Sequence, residues 1–176
     1  MRVIFSDIDG VLDDNNSLDR HIFRLETLHG DHTPFQMIDE SKIELLAEIC
    51  KRYGAKLVFC SYWKMFLDSN GKDEVDILLM NILDKLKQNG IEEIEFTPDV
   101  ENNDFWYHSK SNEINAYLIN NPEVDSYCVI GDRLDELELH KNNLLLTSWN
   151  EDGRGNGGLL PYHSKEIGKI LSRKIK

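Results

Sequence analysis

A chain of 176 residues with 40% hydrophobic and 30% charged side chains has the size and balance of a single domain, residues 1–176, with a real core. Its formal charge of -12 repels phosphate backbones and gains nothing from counterion release, which excludes extensive nucleic-acid binding but leaves room for a local basic patch. No apolar run approaches the roughly 18 residues of a membrane span, and Arg2-Val3-Ile4-Phe5 shows no signal-peptide pattern, so a cytoplasmic location is expected.

The first predicted element is a strand that begins at Val3 and runs into Phe5-Ser6-Asp7-Ile8-Asp9-Gly10-Val11-Leu12. Residues i and i+2 of a strand share a face, so Asp7 and Asp9 should point the same way while Ile8 turns back to the core and Gly10 lets the chain bend. Two carboxylates about 4 Å apart at a partly screened site repel by roughly 4 kcal/mol. Such a pair requires a cation, or a proton on one of the acids. Residues 13–40 are polar, with Gly30 and Pro34 as breakers, and predict a long loop or small lid over the strand end, with at most a short helix around His21 to Leu28. His21, His29, Asp31 and His32 lack the ligand spacing of a zinc site and are read as solvent-facing.

Ser41 as N-cap with Glu44 three positions on predicts a helix that carries Ile43, Leu46, Ile49 and Tyr53 and stops at Gly54. Lys56-Leu57-Val58-Phe59-Cys60-Ser61 follows as a buried strand, the βαβ pattern of a parallel sheet. In such a sheet ligands lie outside the carboxyl ends of the strands. Ser61 and Asp7 should therefore be neighbours, and the hydroxyl can bond a phosphate oxygen or simply cap a helix. An amphipathic helix over residues 76–89 and a third strand over residues 91–96 come next, then a loop over residues 97–108 whose Phe105, Trp106 and Tyr107 are expected to close the core.

Lys110 opens a further helix, where the positive end of the macrodipole disfavours a cation, so its placement there invites a functional reason. A fourth strand over residues 126–130 runs into Gly131-Asp132-Arg133-Leu134-Asp135-Glu136, and a fifth covers residues 144–147. Gly153, Gly155 and Gly158 satisfy G-x-G-x-x-G far from the first strand where a dinucleotide site needs it, so this stretch is expected to be a flexible loop beside the active face. The last helix, from about His163, is expected to end in Arg173-Lys174-Ile175-Lys176. Cys50, Cys60 and Cys128 read as reduced, buried thiols. None has an arginine six positions on, which excludes a cysteine-based phosphatase loop.

Taken in order, these segments resemble the four motifs of the haloacid dehalogenase (HAD) superfamily. Asp7-Ile8-Asp9-Gly10-Val11 resembles motif I, the strand ending in Ser61 motif II, Lys110 motif III, and Gly131-Asp132-Arg133-Leu134-Asp135 motif IV. The resemblance implies an α/β, three-layer α/β/α Rossmann-like fold with a parallel five-stranded sheet of order 5-4-1-2-3 and no large cap domain. It implies Asp7 as nucleophile and Asp9 as general acid/base, with Ser61, Lys110 and Gly10 around the phosphate. Magnesium would be held by Asp7, Asp132 and the carbonyl of Asp9, with Asp135 or Glu136 as the trailing acid.

A narrower likeness, from Val58-Phe59-Cys60-Ser61-Tyr62-Trp63-Lys64 and Gly158-Leu159, is to small members of the superfamily associated with RNA repair. That group more often carries an Asp-Asp pair where this chain has Gly131-Asp132. The expected activity is a magnesium-dependent phosphatase that works through an aspartyl-phosphate. An uncapped site suits a nucleotide or polynucleotide terminal phosphate or a phosphoprotein, and the alternative class is an idle module that binds through the same cleft.

Overall fold

The computed structural model describes residues 1–17, 37–67, 74–100 and 109–175. The helix expected near residues 21–28, the His-containing loop and the aromatic cluster at residues 105–107 lie outside them. Five parallel strands, β1 (Arg2–Ser6), β2 (Ala55–Phe59), β3 (Ile94–Phe96), β4 (Ser126–Gly131) and β5 (Leu144–Leu146), form one sheet of order β3-β2-β1-β4-β5. This is the expected order read from the opposite edge.

Because β1 is flanked on both sides, Val3, Ile4 and Phe5 are all fully buried, as strands covered on both faces require. Ile4, Leu57, Phe59, Cys128 and Ile130 face one core layer, which includes residues of α1 (Glu40–Tyr53), α2 (Glu74–Gln88) and α5 (His163–Leu171). Val3, Phe5, Val58 and Val129 face the other, which includes residues of α3 (Ser109–Asn120) and of the short α4 (Leu134–Leu137). There Phe5 meets Tyr117 and Tyr127 edge-on at 5.3 and 5.9 Å. Cys50, Cys60 and Cys128 are free, and burial pushes their thiols up, Cys50 to about 12.

Three local expectations change. Helix α1 is capped by Asp39, whose carboxylate accepts from the Ser41 N–H at 2.9 Å, so Ser41 lies inside the first turn. Strand β3 is only three residues long, because Gly90 and Ile91 still hydrogen-bond back to α2 through Lys87 and Leu86. Helix α5 ends at Leu171, which puts Arg173 and Lys174 beyond it.

The glycine-rich stretch is no loose loop. It is laced to the turn after β1: Leu159 N–H donates to Val11 O at 2.8 Å, Asn15 N–H to Trp149 O at 3.1 Å, and Asn16 N–H to Gly155 O at 3.2 Å. Gly158 sits at φ +62°, and a Cβ there would lie 2.5 Å from Asp13 O and 2.7 Å from Val11 O. Only glycine permits that approach.

Beneath this clasp Lys42, 5% exposed, bonds Asp14 at 2.9 Å and Asp39 at 3.1 Å. Burial alone would raise the pKa of Asp14, but Lys42 and the Ser17 N–H outweigh it and hold it below the usual carboxylate range. Lys42→Met leaves Asp14 buried without its cation, and urea unfolding should show a loss of about 3–5 kcal/mol. A loss under about 1 kcal/mol would show that the pair does not hold the clasp down.

Candidate active site

Strand β1 ends at Ser6, between the ends of β2 and β4. Asp7 follows at once: its N–H donates to Ile130 O at 2.9 Å, and its Oδ1 accepts from the Ile8 N–H at 2.8 Å. The next residues leave the sheet in a helical turn, with Leu12 N–H on Ile8 O at 2.8 Å. Asp9 is therefore on a turn and not, as strand alternation would have it, on the face of a strand. Ile8 is fully buried, and the turn brings both acids to one cavity of about 500 Å³ whose walls also include Tyr62, Lys110, Asp132, Arg133 and Glu136.

Gly10, at φ +68°, shapes this turn: a Cβ there would lie 2.5 Å from Asp132 Cγ. Its N–H donates to Asp13 Oδ1 at 2.5 Å. Its part in the site is to let the turn pass close to Asp132.

Lys110, in the first turn of α3, extends its ammonium between two carboxylates. It bonds Asp7 Oδ2 and lies 2.8 Å from Glu136 Oε2, with all three side chains under 10% exposed. Burial would lower the pKa of Lys110, but Asp7 and Glu136 outweigh it and raise it. The unfavourable helix position is thus offset by an ion triad.

The two motif IV acids separate. Glu136 is buried against Lys110, whereas Asp135, 52% exposed, pairs with Arg133 at 2.9 Å at the cavity edge. Gly131 has a reason too: a Cβ there would lie 2.6 Å from Leu137 Cδ1, so the Asp-Asp form of this motif would need Leu137 to move.

Ser61 is 1% exposed and caps the 3₁₀ turn Tyr62–Phe66, its Oγ accepting from the Trp63 N–H at 3.4 Å. That bond does not use the hydroxyl proton. Both roles weighed for this residue are compatible, a cap whose hydrogen can turn to an anion.

Two tryptophans complete the site. Trp63 belongs to the core, yet its Nε1–H donates to Asp9 Oδ2 at 3.0 Å; Trp149, half-buried, donates to Asp132 Oδ2 at 2.7 Å. Thr147 bonds the Gly10 carbonyl at 2.7 Å. Sequence reasoning missed Asp13, the donor role of Trp63, Trp149 and Thr147. Asp13 could have been suspected from its place three residues after Gly10, where a carboxylate can reach back to a backbone N–H as in a capping box, but the indole contacts bring together residues far apart in the chain.

Negative charge exceeds positive in this cavity. Burial, then the neighbouring Asp7 charge, pushes Asp9 up to about 6; burial, then Asp9, pushes Asp13 up to about 8. Burial raises Asp7 as well, against the pull of Lys110 and the Ile8 N–H. Such a set invites a divalent cation. Among the described residues no three His, Cys, Asp or Glu side chains are placed to hold a metal by themselves. Magnesium does not need them, since it is usually bound through one or two carboxylates plus water and substrate oxygens. The hard oxygens of Asp7, Asp132 and the Asp9 carbonyl fit that chemistry.

A parallel doubly wound sheet with acids at the carboxyl ends of β1 and β4, and a lysine reaching them from the helix before β4, defines a HAD-type α/β domain. Residues 3–152 match the model of the HAD domain in Swiss Army Knife RNA repair proteins, and the chain belongs to that family. No curated protein matches the chain.

Lys110→Met should destabilise the fold by about 3–5 kcal/mol, because Asp7 loses its cation and Glu136 keeps only the exposed Arg133, at 3.2 Å. Adding Asp7→Asn should restore part of that loss in a thermal or urea double-mutant cycle, as for groups in one network; strict additivity would mean that the pair is not coupled.

Behind the site, His140 accepts from the Tyr127 hydroxyl at 3.0 Å and donates from Nε2 to Ser111 O at 3.0 Å, while Ser111 Oγ bonds Glu136 O at 2.8 Å. Burial lowers the pKa of His140 below its usual 6.5. Its neutral form is therefore favoured in the folded state, and the stability it contributes is full above about pH 6.5 and declines as pH falls below it. Replacing it with Gln should reduce the slope of unfolding free energy against pH between 6.5 and 5. An unchanged slope would count against the assignment.

Proposed function

We propose that the chain is a magnesium-dependent phosphatase that hydrolyses a phosphomonoester through an aspartyl-phosphate, acting on the terminal phosphate of a nucleotide or polynucleotide. The observation that carries this reading is Lys110 held between Asp7 and Glu136 in the cavity that also contains Asp9 and Asp132. Membership of a HAD family named for RNA repair proteins supports a polynucleotide end over a small metabolite.

An Asp7 carboxylate oxygen attacks phosphorus and forms an O–P bond as the bond from phosphorus to the leaving oxygen breaks. Asp9 gives its proton to that oxygen. Raised to about 6, it exchanges protons near neutrality, as an acid that must also act as a base requires. Asp9 then takes a proton from the water that attacks the phosphorus, and the Asp7–phosphorus bond breaks to release phosphate. Lys110, and Ser61 through its hydroxyl, bind phosphoryl oxygens and offset the charge that develops there. Asp7, Asp132 and the Asp9 carbonyl would hold Mg²⁺, which when bound supplies further charge neutralisation at the phosphoryl group. Trp63 and Trp149 orient Asp9 and Asp132 through N–H donors that add no charge of their own.

Hydrolysis of para-nitrophenyl phosphate should require Mg²⁺ and fall at least about 10³-fold in Asp7→Asn, whose fold should persist in circular dichroism. Assays with 3′- and 5′-phosphorylated oligoribonucleotides should show faster turnover than with small sugar phosphates. Undiminished hydrolysis by Asp7→Asn would remove the nucleophile assignment, and Mg²⁺-dependent phosphate binding without turnover in the unmodified chain would point to a binding module.

A further inference from the structure

Although the chain is strongly acidic, five of its 20 Lys and Arg and only one of its 32 Asp and Glu fall in residues 162–176. Lys165 and Lys169 lie one turn apart on α5, about 6 Å of rise, and Arg173 follows four residues on, just beyond the helix end. With Lys141 they line a cavity of about 570 Å³ between α5 and the chain entering β5, in which Glu166 is the one acid.

Elsewhere Lys42, Lys56, Lys64, Lys85 and Lys110 each bond a carboxylate, and Lys51 bonds the Asn89 carbonyl. Among the described residues, Lys141, Lys165 and Lys169 take part in no ion pair, and Arg173 donates to a carbonyl, Asn142 O, at 2.7 Å. Four cations gathered beside a single acid repel one another, so the groove suits an anion that the described residues do not supply.

Its course indicates which anion. Arg173 bonds Asn142 just before β5 and Ile175 bonds Asp125 just before β4, so α5 ends at the amino ends of the strands. It begins at Tyr162, 55% exposed, and the same stretch of chain carries Trp149 in the wall of the acid cavity. The cationic row thus leads away from the rim of the candidate active site. A linear row headed by an exposed aromatic suits a strand of phosphates with a base to stack. A membrane surface would need apolar side chains beside the cations, and Ile167 and Ile170 of α5 are buried.

We propose that this groove binds the phosphate backbone of a single-stranded RNA whose terminal phosphate enters the acid cavity. The inference rests on the polynucleotide-end reading above, but Lys165, Lys169 and Arg173 lie outside the family match, which ends at residue 152.

The test measures binding of a fluorescent oligouridylate with hydroxyl ends, by anisotropy across a salt series, alongside para-nitrophenyl phosphate hydrolysis. The double variant Lys165→Gln/Lys169→Gln should bind roughly tenfold more weakly at low salt. Its plot of log affinity against log salt should flatten by about 1.4, the loss of two phosphate contacts to a single strand. Hydrolysis should stay at the wild-type rate, and Lys165→Arg/Lys169→Arg should bind like wild type. Equal binding by the Gln variant, no RNA binding by the wild type, or preferential binding of polyglutamate or phosphatidylserine vesicles would each overturn the proposal. Lysine-dependent RNA binding without any hydrolysis would uphold the groove and remove the phosphatase reading instead.

Discussion

A lysine ammonium buried between two carboxylates is the constraint around which the rest of this domain is arranged. Withdrawing such charges from water costs several kcal/mol per ion unless partners compensate. Asp7, Lys110 and Glu136 come from the end of β1, the start of α3 and the turn after β4, so three elements must be held in register for the compensation to work. The neighbouring contacts do this. Ser111 and His140 tie α3 to the segment around Glu136, and Lys64 reaches from the turn after β2 to Glu113, one helical turn beyond Lys110, at 2.9 Å. Thr97, after β3, bonds the same Glu113 at 2.8 Å. The sheet supplies the floor, and these polar contacts fix what stands on it.

The site also shows how carboxylates can be oriented without being neutralised. An arginine bonded to Asp132 would cancel its charge and compete with any cation, but Arg133 pairs with Asp135 and Glu136. Trp149 instead offers one N–H, a donor with no net charge, and Trp63 treats Asp9 in the same way. Charge compensation is left to Lys110 on one side and to whatever cation or substrate enters the cavity on the other. Asp9 and Asp13, both raised first by burial and then by a neighbouring acid, reflect that imbalance.

Much of the fold could be read from the sequence because apolar strands alternating with amphipathic helices leave few topologies. The gathering of Asp7, Asp9, Lys110 and Asp132 followed from placing each at a strand end or helix start. What could not be read was local. Strand alternation predicts that Asp7 and Asp9 share a strand face, but a helical turn brings them together instead. The choice between Asp135 and Glu136 turns on a single residue of register in a four-residue helix, which no periodicity resolves. The tryptophan donors depend on contacts 54 and 17 positions apart along the chain, for which a lone sequence carries no signal.

The glycine-rich stretch joins these levels. Its spacing imitates a dinucleotide fingerprint, yet the glycines answer a packing demand: the chain from Ser148 to Leu159 must lie against the backbone of residues 11–16 closely enough to exchange hydrogen bonds with it. A side chain at Gly158 would push the two segments apart, and the turn that carries Asp9 would lose its outer wall. The same stretch delivers Trp149 to Asp132 at its beginning and launches α5 at its end. The acid cavity and the cationic helix therefore share one short, tightly hydrogen-bonded connection, so the position of one is fixed by the other. A polymer that touched both would meet a spacing set by backbone contacts, independent of long, flexible side chains.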